Sequence, residues 1–75
     1  MKRVYVTESG YFDEYCHFWG TGVIGVDCEL RAAVKYPIQK GCYRLKVVLD
    51  VLGFIVIYKS PFSNLGYRVT RCDLY

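Results

Sequence analysis

The sequence predicts a small, mostly β domain: an antiparallel sheet or a partly open barrel of the SH3-like or OB-like kind, with five to six strands. Three stretches carry that expectation. From Gly22 to Tyr36 every even-numbered residue is apolar or small, through Ile24, Val26, Cys28, Leu30, Ala32 and Val34, while Asp27, Glu29, Arg31 and Lys35 hold odd positions. A period of two puts one face in a core and the other in water. From Tyr43 to Val51 the odd residues are apolar (Tyr43, Leu45, Val47, Leu49, Val51), with Arg44, Lys46 and Asp50 between them. Phe54 to Tyr58 is apolar at every position, as in a central strand buried on both sides or a strand at an interface.

Each element follows from local chemistry. Arg3-Val-Tyr-Val-Thr7 is β-branched and aromatic, and Glu8-Ser9-Gly10 reads as the turn that closes it. Tyr11 to Trp19 fits a helix stripe through Phe12, Tyr15, Cys16 and Trp19, but its aromatic content favours a strand. Gly20-Thr21-Gly22 then supplies a turn. The alternating run is long for one strand, so it bends or changes state, with Gly22 and Gly25 as places for a bulge. The competing α+β reading puts one short helix near Asp27–Lys35, with Asp27 as its N-cap, Ala32-Ala33 inside it and Pro37 beyond its end. Under either reading Ile24, Val26, Leu30 and Val34 face the core. Pro37 to Gly41 reads as a turn, and Ser60 to Gly66 as a loop rich in turn formers. Tyr67 to Cys72 is the last strand, with Asp73-Leu74-Tyr75 as its tail. A hairpin between the Leu30–Tyr36 and Tyr43–Val51 runs matches poorly, because one register opposes Glu29 to Asp50 and the other Arg31 to Lys46.

A chain of 75 residues makes a single compact domain, 1–75, and buries only ~60–65% of its unfolded surface. Its apolar fraction of 53% is high for so small a body, so either the core is rich or a partner, such as a second copy, covers apolar surface. The net charge of +3 is unevenly spread. Residues 8–29 carry only acids, and residues 31–75 carry most of the bases, an arrangement that paired strands would bring together. No secretory signal is recognisable after Met1-Lys2-Arg3, and no apolar stretch approaches the ~20 residues a bilayer needs. The expected location is cytoplasmic, without membrane partners.

Cys16, Cys28, Cys42 and Cys72 lack the close ligand pairs of a structural zinc site and read as buried free thiols. No metal or cofactor is expected. Cys16-His17 and Asp13-Glu14 are adjacent pairs whose side chains diverge on a strand or a helix, so neither suits nucleophilic or acid–base work. There is no Gly-rich phosphate loop and no hydrolase signature. The chain is expected not to be an enzyme.

Two binding readings remain. Tyr11, Asp13, Glu14, Tyr15 and Trp19 mix aromatics with carboxylates, as the anchors of protein interfaces do. Arg44, Lys46, Lys59, Arg68 and Arg71 form the alternative, a modest basic patch of a nucleic-acid-binding β-barrel. The expectation is a non-enzymatic module that binds a protein partner. In size and compactness it resembles small phage- or virus-encoded inhibitors of host defence or nucleic-acid-processing complexes, a likeness that no motif carries.

Overall fold

In the computed structural model, which describes residues 2–50 and 53–74, the chain runs β1 (Lys2–Phe12), β2 (Phe18–Asp27), α1 (Leu30–Ala33), α2 (Lys35–Gln39), β3 (Tyr43–Asp50), β4 (Gly53–Lys59) and β5 (Leu65–Leu74). The strands form one antiparallel five-stranded sheet in the order β2-β1-β5-β4-β3. β2 and β3 are its two edges. The connection between them, α1 and α2 joined at Val34, therefore crosses the sheet from one edge to the other over one face. The sheet stays open, so the open-sheet expectation with one short helical segment holds and the barrel does not form.

The helix-bearing face holds the core. One row crosses all five strands as Gly25–Thr7–Val69–Val56–Val47. Val69 and Val56 are almost wholly buried beneath Ala33, each burial worth about 1.5–3 kcal/mol. Thr7 donates its hydroxyl to the Ala33 carbonyl at 3.1 Å, which satisfies the polar atom this row buries. Tyr5, Leu30, Val34 and Phe54 close the margins. Pro37 is buried in the first turn of α2, where its missing N–H costs nothing.

On the opposite face the corresponding row is Val26–Val6–Thr70–Ile55–Val48. Among the described residues no helix or strand lies over it. Only the β1–β2 tip curls across one end, where Phe12, Phe18, Cys16 and His17 border Ile57 and Arg68.

Several expectations are corrected. Glu8-Ser9-Gly10 and Gly20-Thr21-Gly22 are not turns but lie inside β1 and β2. Gly10 is glycine because the Phe18 ring and the Trp19 carbonyl occupy the space a Cβ would need. Tyr11 to Trp19 is neither strand nor helix throughout, since the chain reverses at residues 13–17. The alternating run ends as a strand at Asp27 and continues as a helix from Leu30, so the α+β reading of that segment is the correct one. Asp27 is not its cap: Glu29 stands at the N-cap position, extended, without a side-chain cap. Pro37 to Gly41 is mostly helical rather than a turn. Ile24 and Val26 are exposed, not core, because β2 is an edge strand, and Leu30 and Val34 are half-buried.

β4 is covered on one side only. Val56 and Tyr58 are buried while Ile55 and Ile57 stay half-exposed. Val51, expected at the end of β3, and Tyr75 of the expected tail lie outside the described residues. The four thiols are free, but Cys16 and Cys28 are exposed and Cys42 and Cys72 half-buried, so the expected burial fails. The acid-rich and base-rich segments do meet across strands. Arg68 on β5 donates to Glu8 Oε1 on β1 through Nη2 at 2.9 Å and Nε at 3.1 Å. A separate cross-strand pair, outside that charge pattern, sets Arg3 Nε 3.6 Å from Asp73 Oδ1.

Candidate functional site

The β1–β2 reversal is organised by one carboxylate. Asp13 Oδ1 accepts from the backbone N–H groups of Tyr15 and His17, each at 2.9 Å, and Asp13 Oδ2 accepts from Trp19 Nε1 at 2.9 Å. Backbone bonds from Asp13 N to the His17 carbonyl and from Cys16 N to the Asp13 carbonyl, both 3.0 Å, close the turn. Cys16 takes a left-handed φ of 62° to complete it. The Trp19 hydrogen bond, followed by that of the His17 N–H, holds the Asp13 carboxyl below its ordinary value.

The neighbouring 60–64 loop is tied as firmly. Lys59 Nζ donates to the carbonyls of Ser60 at 3.1 Å and Ser63 at 3.0 Å. Phe12 N donates to the Asn64 carbonyl at 2.7 Å, joining this loop to the tip of β1. Gly66 lets the join close, because a Cβ there would overlap the Phe12 ring and the Tyr58 carbonyl.

These two supports carry a row of exposed apolar side chains. Trp19, Tyr11 and Leu65 are direct register partners across β2, β1 and β5, so they share one face, beyond the helical segment. They are 54%, 46% and 63% exposed. Tyr15 at the tip and Phe62 in the loop, 73% and 95% exposed, stand at the same end of the sheet. Scattered apolar residues on a surface are ordinary, whereas a contiguous set on a hydrogen-bonded support is not.

The structure thus brings Tyr11, Asp13, Glu14, Tyr15 and Trp19 to one end of the molecule. Their roles differ, however. Asp13 is committed to internal donors and positions Trp19, while Glu14 is exposed. Leu65 and Phe62 were not foreseen, since Ser60 to Gly66 reads only as a loop, and nothing local reveals that β5 runs beside β1.

The basic set is divided between the two faces. Arg44 lies beside Leu30, Arg31 and Val34 on the helix-bearing face, and so does Arg71, whose register partner is Tyr5. Lys46 and Arg68 border Ile57 on the opposite face. Arg68 is paired with Glu8, Lys59 holds its loop, and Arg71 Nε lies 3.8 Å from Asp73 Oδ1.

Among the described residues the remaining titratable groups are dispersed. Among the described residues no three His, Cys, Asp or Glu side chains converge as a metal site. Burial pushes the Cys42 thiol up, away from the reactive thiolate. Tyr67 is likewise pushed up, chiefly by burial and then by its hydrogen bond with Tyr36. The cleft beside α1, about 330 Å³ and lined by Ile24, Asp27, Tyr36 and Tyr67 among others, gathers no set of polar groups around a reacting atom. Among the described residues no helix is long and apolar enough to cross a membrane.

Fold and site together define an open-faced antiparallel β protein with a helical crossover on one face and an aromatic platform at one end. Compared with known proteins, the chain matches no protein-family model, no curated protein and no solved structure.

Proposed function

We propose that this protein is a non-enzymatic binding module of the cytoplasm that engages a protein partner through the Trp19–Tyr11–Leu65 platform. The observation that carries this reading is the platform itself: three large apolar side chains in one cross-strand row, on a support tied by Asp13 and by the 60–64 loop. Rigid aromatics lose little conformational entropy on binding, and tryptophan and tyrosine are the commonest anchors of protein interfaces. Glu14 beside the row favours a partner whose pocket is apolar and whose rim is basic. Such a module acts by occupancy, as a small inhibitor does.

The division of Arg44, Lys46, Lys59, Arg68 and Arg71 between two faces, and the engagement of Arg68 by Glu8, Arg71 by Asp73 and Lys59 by loop carbonyls, weighs against the nucleic-acid alternative. The test is affinity capture from a cell lysate with wild type, Trp19→Ala and Leu65→Ala, read by quantitative mass spectrometry. The expected result is a near-stoichiometric protein retained by wild type and depleted at least ~10-fold by either variant. Equal retention by all three would sink the reading.

A further inference from the structure

The sheet face opposite the helical segment is left uncovered by any helix or strand among the described residues. Its central row, Val26–Val6–Thr70–Ile55–Val48, runs across all five strands. Val6 and Ile55 on this face are half-buried, whereas Thr7 and Val56, their neighbours on the other face, are 3% and 2% exposed.

The protein exposes 5373 Å², against about 4,700 Å² for a compact monomer of its mass. The excess of roughly 650 Å², taken over the whole molecule, is of the order of the ~800 Å² each partner contributes to a standard interface. Two of the cations on this face are already engaged, and Lys46 stands exposed on the edge strand β3. Arg68 is hydrogen-bonded to Glu8 and stacks over the Phe18 ring at 5.2 Å, and Lys59 is held by carbonyls. Drying this face therefore strands none of these charges. A nucleic acid would need more cations left uncommitted than the edge-strand Lys46, whereas a face with an apolar centre and its cations toward the margins can meet its own copy across a two-fold axis.

From these observations we infer that a second copy of this chain covers this face. The dimer is a two-fold stack of two sheets ~10 Å apart, with the helical segments outward and the two Trp19–Tyr11–Leu65 platforms free.

Analytical ultracentrifugation from micromolar to several hundred micromolar tests this directly. Wild type should sediment as twice its 8.7 kDa chain mass. Ile55→Glu should raise the dimer dissociation constant at least ~100-fold, because it buries an unpaired charge. Thr70→Glu should do the same and guards against an unfolded Ile55→Glu, since position 70 is already polar and half-exposed. Trp19→Ala should leave the dimer intact, which separates failure of this inference from failure of the platform reading. A wild type that is monomeric throughout the range overturns the inference. So does a dimer that survives both glutamates, or one that survives them but is broken by Val47→Pro on the β3 edge.

Discussion

The Trp19 indole N–H donates to Asp13 Oδ2 at 2.9 Å, so the platform end of the sheet is fixed by a carboxylate whose other oxygen closes the turn. This makes Asp13 the switch of the platform. Its folded-state pKa lies below the ordinary 3.8, chiefly through Trp19. The stabilisation is thus present above the unfolded value and is lost as pH falls through the lower folded value. Trp19 is the only tryptophan, so its emission reports the site alone. The emission should hold steady down to about pH 3.8 and change only below it. In Asp13→Ala the acid transition should vanish and the emission at neutral pH should already resemble the acid form. A transition centred above the ordinary carboxylate range would contradict the assignment.

Gly66 should tolerate no side chain. A Cβ there overlaps both the Phe12 ring and the Tyr58 carbonyl, and the carbonyl belongs to a paired backbone that cannot move aside. Gly66→Ala should cost about 2–3 kcal/mol in urea denaturation. Gly22→Ala is the control: nothing lies within 4 Å of its Cβ position, and the change should stay within about 0.5 kcal/mol of neutral.

Gly41 isolates backbone conformation from packing. Its φ is +77° and an added Cβ would meet nothing within 4 Å. Gly41→Ala should therefore cost about 1–2 kcal/mol with no rearrangement of neighbours. Cys16, at φ 62° without being glycine, is the converse case, and Cys16→Asn should gain a few tenths of a kcal/mol. Thermal unfolding of the two variants should move in opposite directions.

Glu8 and Arg68 are separated by 60 positions yet bonded at 2.9 Å, with side chains 23% and 33% exposed. A double-mutant cycle with Glu8→Ala and Arg68→Met should return a coupling of about 1 kcal/mol, reduced from that of a fully dried pair by the remaining water. The double variant should be more stable than the sum of the singles implies. A coupling near zero would show the pair to be incidental.

What the sequence made legible was local. The odd-position row of Tyr43–Leu49 and the run Phe54–Tyr58 appear as strands because their neighbours are set by the pleat. The Gly22–Tyr36 run satisfied two periods at once: Leu30 and Val34 are four apart and suit a helix as well as an alternating strand. Nothing but tertiary contact with Val56 and Val69 decides between them. The glycines misread as turns, Gly10 and Gly20, are small because Phe18 and the Glu8 carboxylate lie over them, a demand made by residues on a neighbouring position or strand. The platform was half legible. Tyr11, Tyr15 and Trp19 are close in sequence, but Leu65 joins them only because β5 inserts beside β1.

That insertion sets how the molecule comes together. β1 pairs with β2 and β5, and β4 pairs with β3 and β5, so among the described strands β5 joins the two hairpins through its two ladders. While the chain is still emerging from a ribosome, the first four strands hold two loose ribbons and a crossover with little to rest on. Docking of Leu65–Leu74 then commits both at once, a long-range step of the kind that slows folding. Damage to β5 should accordingly part the protein down the middle instead of fraying it from an edge.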